Sequence, residues 1–180
     1  MRDDALLAFE RHATSKLRTT DDLLSIATLG FRGEALPSIA SVSRLVLETR
    51  TAEEEQGTRV EFAGGKLISV KPAGVPPGTS ISVADIFYCV PARRKFVKAA
   101  PTEAAHVGEV VLHAALSRPD VTFVLARDGK IAREHLRSAS RRERARAALG
   151  EPRLVACRGE RGPVRIEAHL GPPERARSGA

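Results

Sequence analysis

The residues of this chain that could hold a charged ligand are concentrated between positions 11 and 36. Residues 30–36 read GFRGEAL: two glycines, separated by a phenylalanine and an arginine, precede a helix-forming Glu-Ala-Leu. Glycine permits positive φ and close approach to the backbone, and a helix start leaves unpaired N–H groups that can hold an anion. Upstream, Thr14, Ser15 and Lys16 add two hydroxyls and an ammonium. These residue types indicate a phosphate-binding loop; the alternative is an ordinary corner between two helices.

Two motifs resemble those of the MutL-type DNA mismatch repair ATPases of the GHKL superfamily. The first combines RHATSK at residues 11–16, DDL at residues 21–23 and LGFRGEALPSIASVSRL at residues 29–45. The second starts with Gly78 and Thr79, continues through a strand and ends in PARRKF at residues 91–96. The likeness covers most of the chain and fades toward its C-terminus. A P-loop enzyme is disfavoured because the pattern G-x-x-x-x-G-K-[ST] does not occur.

The resemblance implies an ATP site. It places Thr14 and Lys16 in the nucleotide pocket, the segment Gly30, Phe31, Arg32 and Gly33 as a lid over the phosphates, Glu34 at the following helix start, and Thr79 near the adenine. The chemistry of these residues agrees, because glycine N–H groups can surround phosphate oxygens and a hydroxyl can hydrogen-bond an adenine edge. Without the resemblance, Thr79 would be an ordinary threonine at the start of a strand.

The groups that relatives use for hydrolysis do not occur in this sequence. The family's catalytic Glu, its Mg²⁺-binding Asn and its adenine-reading Asp precede the ATSK block, yet only thirteen residues precede Thr14 and none matches. A family lysine that reaches the γ-phosphate is also missing, since no lysine follows Lys130. The resemblance implies ATP and Mg²⁺ as cofactors, but we assign no catalytic or metal-binding residue. We expect a sequence truncated at both ends that does not hydrolyse ATP by itself.

Positive charge is concentrated in the C-terminal third. The net charge is +7, and residues 131–180 hold 12 arginines and 6 glutamates. Such a segment can bind DNA through its phosphates, or it can be a solvated Arg-rich face.

With the family resemblance, we expect a repair protein that binds ATP and mismatched DNA in a complex coupling mismatch recognition to strand removal. Its expected partners are DNA and a mismatch-recognition protein, and the intact family forms homodimers. The alternative is a non-catalytic DNA-binding or protein-interaction remnant.

Location and cysteine chemistry are predicted from what the sequence lacks. No apolar run approaches the ~20 residues of a membrane span, and the polar start does not resemble a signal peptide. We therefore expect a cytoplasmic protein without membrane contact. Cys89 and Cys157 are far apart and form no CxxC, which predicts two semi-buried thiols and no metal site.

Helices and antiparallel strands alternate irregularly, which predicts an α+β fold. With the resemblance, it becomes an incomplete two-layer α/β sandwich of the GHKL ATPase type, followed by the start of a second small α/β domain. We expect a partial ATPase domain at residues 1–136, the second domain's beginning at 137–170 and a loose tail at 171–180.

Helices are predicted at residues 5–12, 23–29, from 34, from 101 and from 140 to 150. Strands are predicted at 44–49, 58–62, 67–70, 79–83 (half-buried), 121–126, 131–134, 154–157 and 164–169. Gly64-Gly65 and Asp128-Gly129 are predicted as hairpin turns.

Overall fold

The computed structural model of the chain describes residues 2–14, 26, 30 and 32–175. The chain divides into two compact units, Met1–Val97 and Lys98–Ala180. The domain division between residues 136 and 137 stays a prediction. The helix predicted at residues 23–29 and the site residues Lys16 and Phe31 lie outside the described residues.

The first unit is a four-stranded antiparallel sheet with two helices on one face. Its strand order is β3-β2-β1-β4. In chain order its elements are α1 (Arg2–Leu7), α2 (Ala35–Ala40), β1 (Arg44–Arg50), β2 (Gly57–Ala63), β3 (Lys66–Ala73), β4 (Gly78–Ala84) and the single helical turn α3 (Pro91–Arg94).

The core of the first unit lies between the two helices and one face of the sheet. Alternate residues of β1 and β2 point inward, so that Leu45, Leu47 and Val60 are buried against Ala5 of α1 and Ala40 of α2. A surrounding layer of partly buried apolar side chains comprises Leu6, Phe9, Leu36, Phe62 and Val70. Alternation with period two is what a sheet covered on one face requires.

Helix α1 ends at Leu7, so its predicted extension to residue 12 is wrong. After Leu7 the backbone tightens, because Phe9 N–H donates to the Leu6 carbonyl and Glu10 N–H to the Leu7 carbonyl, both across three residues. His12 then adopts a φ of 66°, which no α-helix accommodates. The chain thereby turns away from the helix axis just before the Thr14 segment.

The second unit joins two helices to two antiparallel hairpins. Its elements are α4 (Ala100–Ser117), β5 (Phe123–Arg127), β6 (Lys130–His135), α5 (Arg141–Leu149), β7 (Val155–Arg161), β8 (Val164–Leu170) and a 3-10 turn at Pro173–Arg175. The predicted turn at Asp128 and Gly129 is confirmed, with φ values of 53° and 75°. The predicted ends of α5 are also confirmed: the Ser140 side chain accepts a hydrogen bond from Glu143 N–H, and Gly150 adopts the left-handed conformation.

A buried arginine connects α5 to the β5–β6 hairpin. Arg144 is 1% exposed, and its guanidinium donates to the carbonyls of Pro119 and His135 at 3.0 Å each and of Val121 at 2.6 Å. An arginine inside a protein must satisfy its donors. Here backbone carbonyls, and no carboxylate, accept from its two terminal nitrogens, while its buried Nε has no hydrogen-bond partner among the described residues.

The α+β fold class is confirmed, and two predictions about exposure are wrong. Both cysteines are exposed thiols, not semi-buried ones. Strand β4 was predicted to be half-buried, but all seven of its residues are exposed, because no described element packs over it. None of the described helices has the length and apolar character needed to cross a membrane.

Candidate functional site

The fold brings the Thr14 segment against the end of the predicted lid. Gly33 has a φ of +64°, and a β-carbon there would overlap the Ala13 carbonyl, lying 2.7 Å from its carbon atom. Beside this contact, His12 Nδ1 lies 3.3 Å from Glu34 Oε1. Both the backbone conformation and the close approach require glycine at position 33. Two segments some twenty residues apart in sequence therefore meet in the part of the site that is described.

The described residues of the predicted ATP site differ in exposure. Arg32 and Gly30 are exposed, whereas Thr14 and Gly33 are half-buried. Glu34 is the residue that precedes α2, as predicted, but its carboxylate does not cap the helix. It faces His12 instead.

Thr79 is held by the sheet. It lies opposite Thr49 in the β1–β4 register, and the two hydroxyl oxygens are 2.9 Å apart. Leu47 faces Ile81 in the same register, so alternation puts Thr79 on the face of the sheet that the helices cover. Among the described residues, the hydrogen bond of its side chain is made to Thr49 and not to the lid.

All six residues of the PARRKF segment are exposed, and the segment is held through the preceding turn. That turn contains Asp85 and Phe87 at positive φ, and Phe87 N–H donates to the Val42 carbonyl at 2.7 Å. Arg44 Nε lies 3.2 Å from Asp85 Oδ2, and its guanidinium lies 4.8 Å from the ring centroid of Tyr88. Sequence reasoning did not identify Arg44, since neither partner is near it in sequence.

Part of the positive charge of the second unit is neutralised locally. Arg158 lies opposite Glu167 and Arg165 opposite Glu160 in the β7–β8 register, with N–O distances of 3.3 and 3.2 Å. Such exposed pairs contribute little stability, but they reduce the charge that this hairpin offers to an anion.

Two side chains of the second unit titrate unusually. Two hydrogen bonds from the Arg118 guanidinium lower the pKa of Asp120 to about 2. The pKa of His135 is lowered by burial first, and then by the positive charges of Arg144 and Arg133.

The described residues contain no group of three or more His, Cys, Asp or Glu side chains that could hold a metal ion. Mg²⁺ is held in proteins by carboxylate oxygens, often with phosphate oxygens and water. We assign no Mg²⁺ ligand among the described residues.

Comparison with known proteins identifies many similar sequences, although no family model matches the chain. Proteins named DNA mismatch repair protein MutL from Acidobacterium capsulatum and Solibacter usitatus are each 65% identical to it, over 69% and 70% of the chain and 19% of each relative. The MutL of Anaeromyxobacter sp. (strain K) is 49% identical over 96% of the chain and 29% of that protein. The chain spans less than a third of the length of these relatives.

Solved structures of MutL ATPase domains are also similar to this chain. The MutL ATPase domain of Aquifex aeolicus complexed with ADP matches with a TM-score of 0.70 and 29% identity, over 86% of this chain and 60% of that one. A second structure of the ATPase domain from this bacterial mismatch repair endonuclease matches with a TM-score of 0.67 and 27% identity, over 88% of this chain and 59% of that one.

Proposed function

This chain belongs to the MutL family of DNA mismatch repair proteins, and we propose that it contributes one part of an ATP site in the N-terminal ATPase region. The observation that supports this proposal is the contact between Gly33 and Ala13. It joins the two segments whose sequences resemble the family's nucleotide motifs. A related solved domain holds ADP, which is the same class of ligand.

In this proposal the phosphates lie against the lid and the adenine lies against the sheet. Arg32 is exposed, and its guanidinium would donate charge-assisted hydrogen bonds to phosphate oxygens. Gly30, Phe31 and Gly33 would bring backbone N–H groups to the same oxygens, while Thr14 and Lys16 would contact the nucleotide from the other segment. Glu34 would orient His12 at the hinge of the lid, and Thr79 would offer its hydroxyl to the adenine.

Isothermal titration calorimetry with ATP tests the phosphate contact. We expect Arg32→Ala to weaken binding about 10-fold or more, because a hydrogen bond to a charged group contributes about 1.5–3 kcal/mol. Arg2→Ala, which removes another exposed arginine of the same unit, is the matched control and should change little. Equal affinities of the two variants, or no ATP binding by the wild-type chain at millimolar ATP, would contradict the proposal.

A second pair of variants tests the adenine contact. Thr79→Val removes a hydroxyl but keeps the shape of the side chain. Thr49→Val removes the partner of the same hydrogen bond. If Thr79 contacts the nucleotide, its substitution weakens ATP binding more than the substitution of Thr49 does, whereas a purely structural role makes the two variants equivalent.

We expect the 180-residue chain by itself to bind ATP without hydrolysing it. The expectation depends on the sequence, in which the family's catalytic Glu and Mg²⁺-binding Asn are not found. A phosphate-release assay with Mg²⁺ present measures it directly, and hydrolysis at the rate of an intact relative would refute it. The same proposal includes two kinds of partner. They are a mismatch-recognition protein in a repair complex and a second copy in the homodimer that the family resemblance implies.

The alternative function is DNA binding through the second unit, independent of nucleotide. The charge excess of residues 131–180 favours it, and the exposed Arg161 of β7 has no carboxylate opposite it in the register. Retention on duplex DNA should then decrease steeply with salt. If ATP leaves that retention unchanged and ATP itself does not bind, this second function replaces the first.

A further inference from the structure

Three threonines form a row across the sheet of the first unit. In the register, Thr49 of β1 lies opposite Thr58 of β2 and opposite Thr79 of β4. The next row on the same face is apolar and has Leu47 at its centre. Residues that lie opposite each other on neighbouring strands, or two apart on one strand, share a face. The threonine row therefore borders the apolar core on the face that the helices cover.

The hydroxyl group of Thr49 takes part in two hydrogen bonds. Its oxygen lies 2.9 Å from Thr79 Oγ1, and it donates to the carbonyl oxygen of Gly78 at 3.3 Å. A hydroxyl group has one proton to donate and can accept through its lone pairs, whereas a carbonyl oxygen only accepts. Because Thr49 donates its one proton to Gly78, the bond between the two threonines needs the proton of Thr79. Only this arrangement of protons forms both hydrogen bonds.

This arrangement determines what Thr79 can offer to a ligand. Its proton is donated to Thr49, so its oxygen presents lone pairs and can accept from a donor. The 6-amino group of adenine is a donor, whereas the 6-oxo group of guanine or hypoxanthine is an acceptor. We propose that Thr49 is a positioning residue through which Thr79 selects a 6-amino purine over a 6-oxo purine. The inference rests on the proposed contact between Thr79 and the adenine of ATP, and it adds how the site chooses its base.

The selection follows from the loss of one hydrogen bond. A 6-oxo group that meets only the lone pairs of Thr79 stays without a partner, and a site that hydrogen-bonds one group rejects an analogue that cannot make that bond. Valine at position 49 keeps the β-branched shape but cannot accept a proton. The hydroxyl group of Thr79 could then turn and donate to a 6-oxo group. Thr49→Val should therefore improve the binding of a 6-oxo purine nucleotide without removing the contact to adenine.

Isothermal titration calorimetry with ATP and inosine triphosphate tests the inference, because the two nucleotides share ribose and phosphates and differ only at positions 1 and 6 of the base. We expect the wild-type chain to bind ATP about 10-fold more tightly than inosine triphosphate. In Thr49→Val this ratio should fall toward one because inosine triphosphate binds more tightly, while the affinity for ATP changes by less than about threefold. Thr49→Ser keeps the hydroxyl group and should keep the wild-type ratio.

Two further variants separate this role from a structural one. Thr58→Val is the matched control, because Thr58 lies on the other side of Thr49 in the same row and takes no part in the two hydrogen bonds. It should leave the ratio unchanged. Thr79→Val tests the same contact even if Thr49→Val fails to fold. It should weaken the binding of ATP and leave that of inosine triphosphate nearly unchanged.

The measurements distinguish failure of this inference from failure of the proposed function. A wild-type chain that does not bind ATP at millimolar concentration contradicts both. If the wild-type chain binds ATP without preferring it, or if the preference survives in Thr49→Val or Thr79→Val, the inference is overturned and the proposed ATP site is not. Loss of the preference in Thr49→Ser or Thr58→Val also overturns it, because the effect would then come from any change in the row.

Discussion

Replacing Arg144 by methionine should destabilise the second unit by about 2 kcal/mol. The wild-type guanidinium donates to three backbone carbonyls, those of Pro119, Val121 and His135. Methionine fills similar space but has no donor. A partly buried carbonyl left without a partner costs about 1–3 kcal/mol. The Pro119 carbonyl keeps a hydrogen bond from Ser138 N–H, so the carbonyls of Val121 and His135 determine the loss, which is about 2 kcal/mol or more. Removing the buried charge offsets part of this loss. We therefore expect the free energy of unfolding to fall by an amount near the lower end of this range.

Urea unfolding followed by circular dichroism measures the loss. Arg141→Met is the matched control, because Arg141 is an exposed residue of the same helix, and it should change the free energy of unfolding by no more than about 0.5 kcal/mol. Hydrogen exchange locates the effect: amides of β5 and β6 should exchange faster in Arg144→Met only. If the two variants have equal stability, the three hydrogen bonds do not hold α5 to the hairpin.

Three further predictions concern one backbone position and two titrating groups. Gly33→Ala should reduce the free energy of unfolding by about 1–3 kcal/mol from its strained backbone alone. The control is Gly74→Ala, which should be nearly neutral because a β-carbon at position 74 has no atom within 4 Å. Equal effects of the two substitutions would exclude the close contact with Ala13. The folded pKa of His135 is lowered, so the unfolded chain binds more protons and the free energy of unfolding should fall as pH drops below about 6.5. His135→Gln should flatten that dependence in denaturation curves measured between neutral and mildly acidic pH, and an unchanged slope would contradict the assignment. Asp120 should titrate near a pKa of about 2 by NMR and return toward its ordinary value in Arg118→Ala; an unchanged midpoint would mean that Arg118 is not the cause.

The elements that the sequence predicted correctly are those specified by neighbouring residues. The β2–β3 turn required positive φ at two successive positions, and Gly64 and Gly65 supply it. The limits of α5 follow from Ser140 and Gly150, which act within one turn of the helix. Such signals involve residues a few positions apart, so they can be read before any tertiary structure is known.

Predictions that depended on distant residues were less successful. The pattern of β4 alternates as a half-buried strand does, yet burial requires another element to pack on it, and none of the described elements does. Arg144 occurs in an Arg-rich helix whose sequence indicates a solvated face, and its burial is decided by carbonyls nine to twenty-five residues away. Periodicity predicts which side chains share a face, but it does not predict what covers that face.

The candidate site combines both kinds of information. The requirement for glycine at position 33 follows from its φ and from its contact with Ala13. At this position the residue type therefore depends on a tertiary contact between two segments. Thr79 is different, because a threonine fits most strands and only its position opposite Thr49 places it on the helix-covered face. The lid is predicted from motifs that resemble those of the family and stays a prediction, whereas the position of Thr79 in the sheet follows from the register. For this reason Arg32 and Thr79 are tested by separate pairs of variants: a loss confined to one pair shows which half of the proposed site binds ATP.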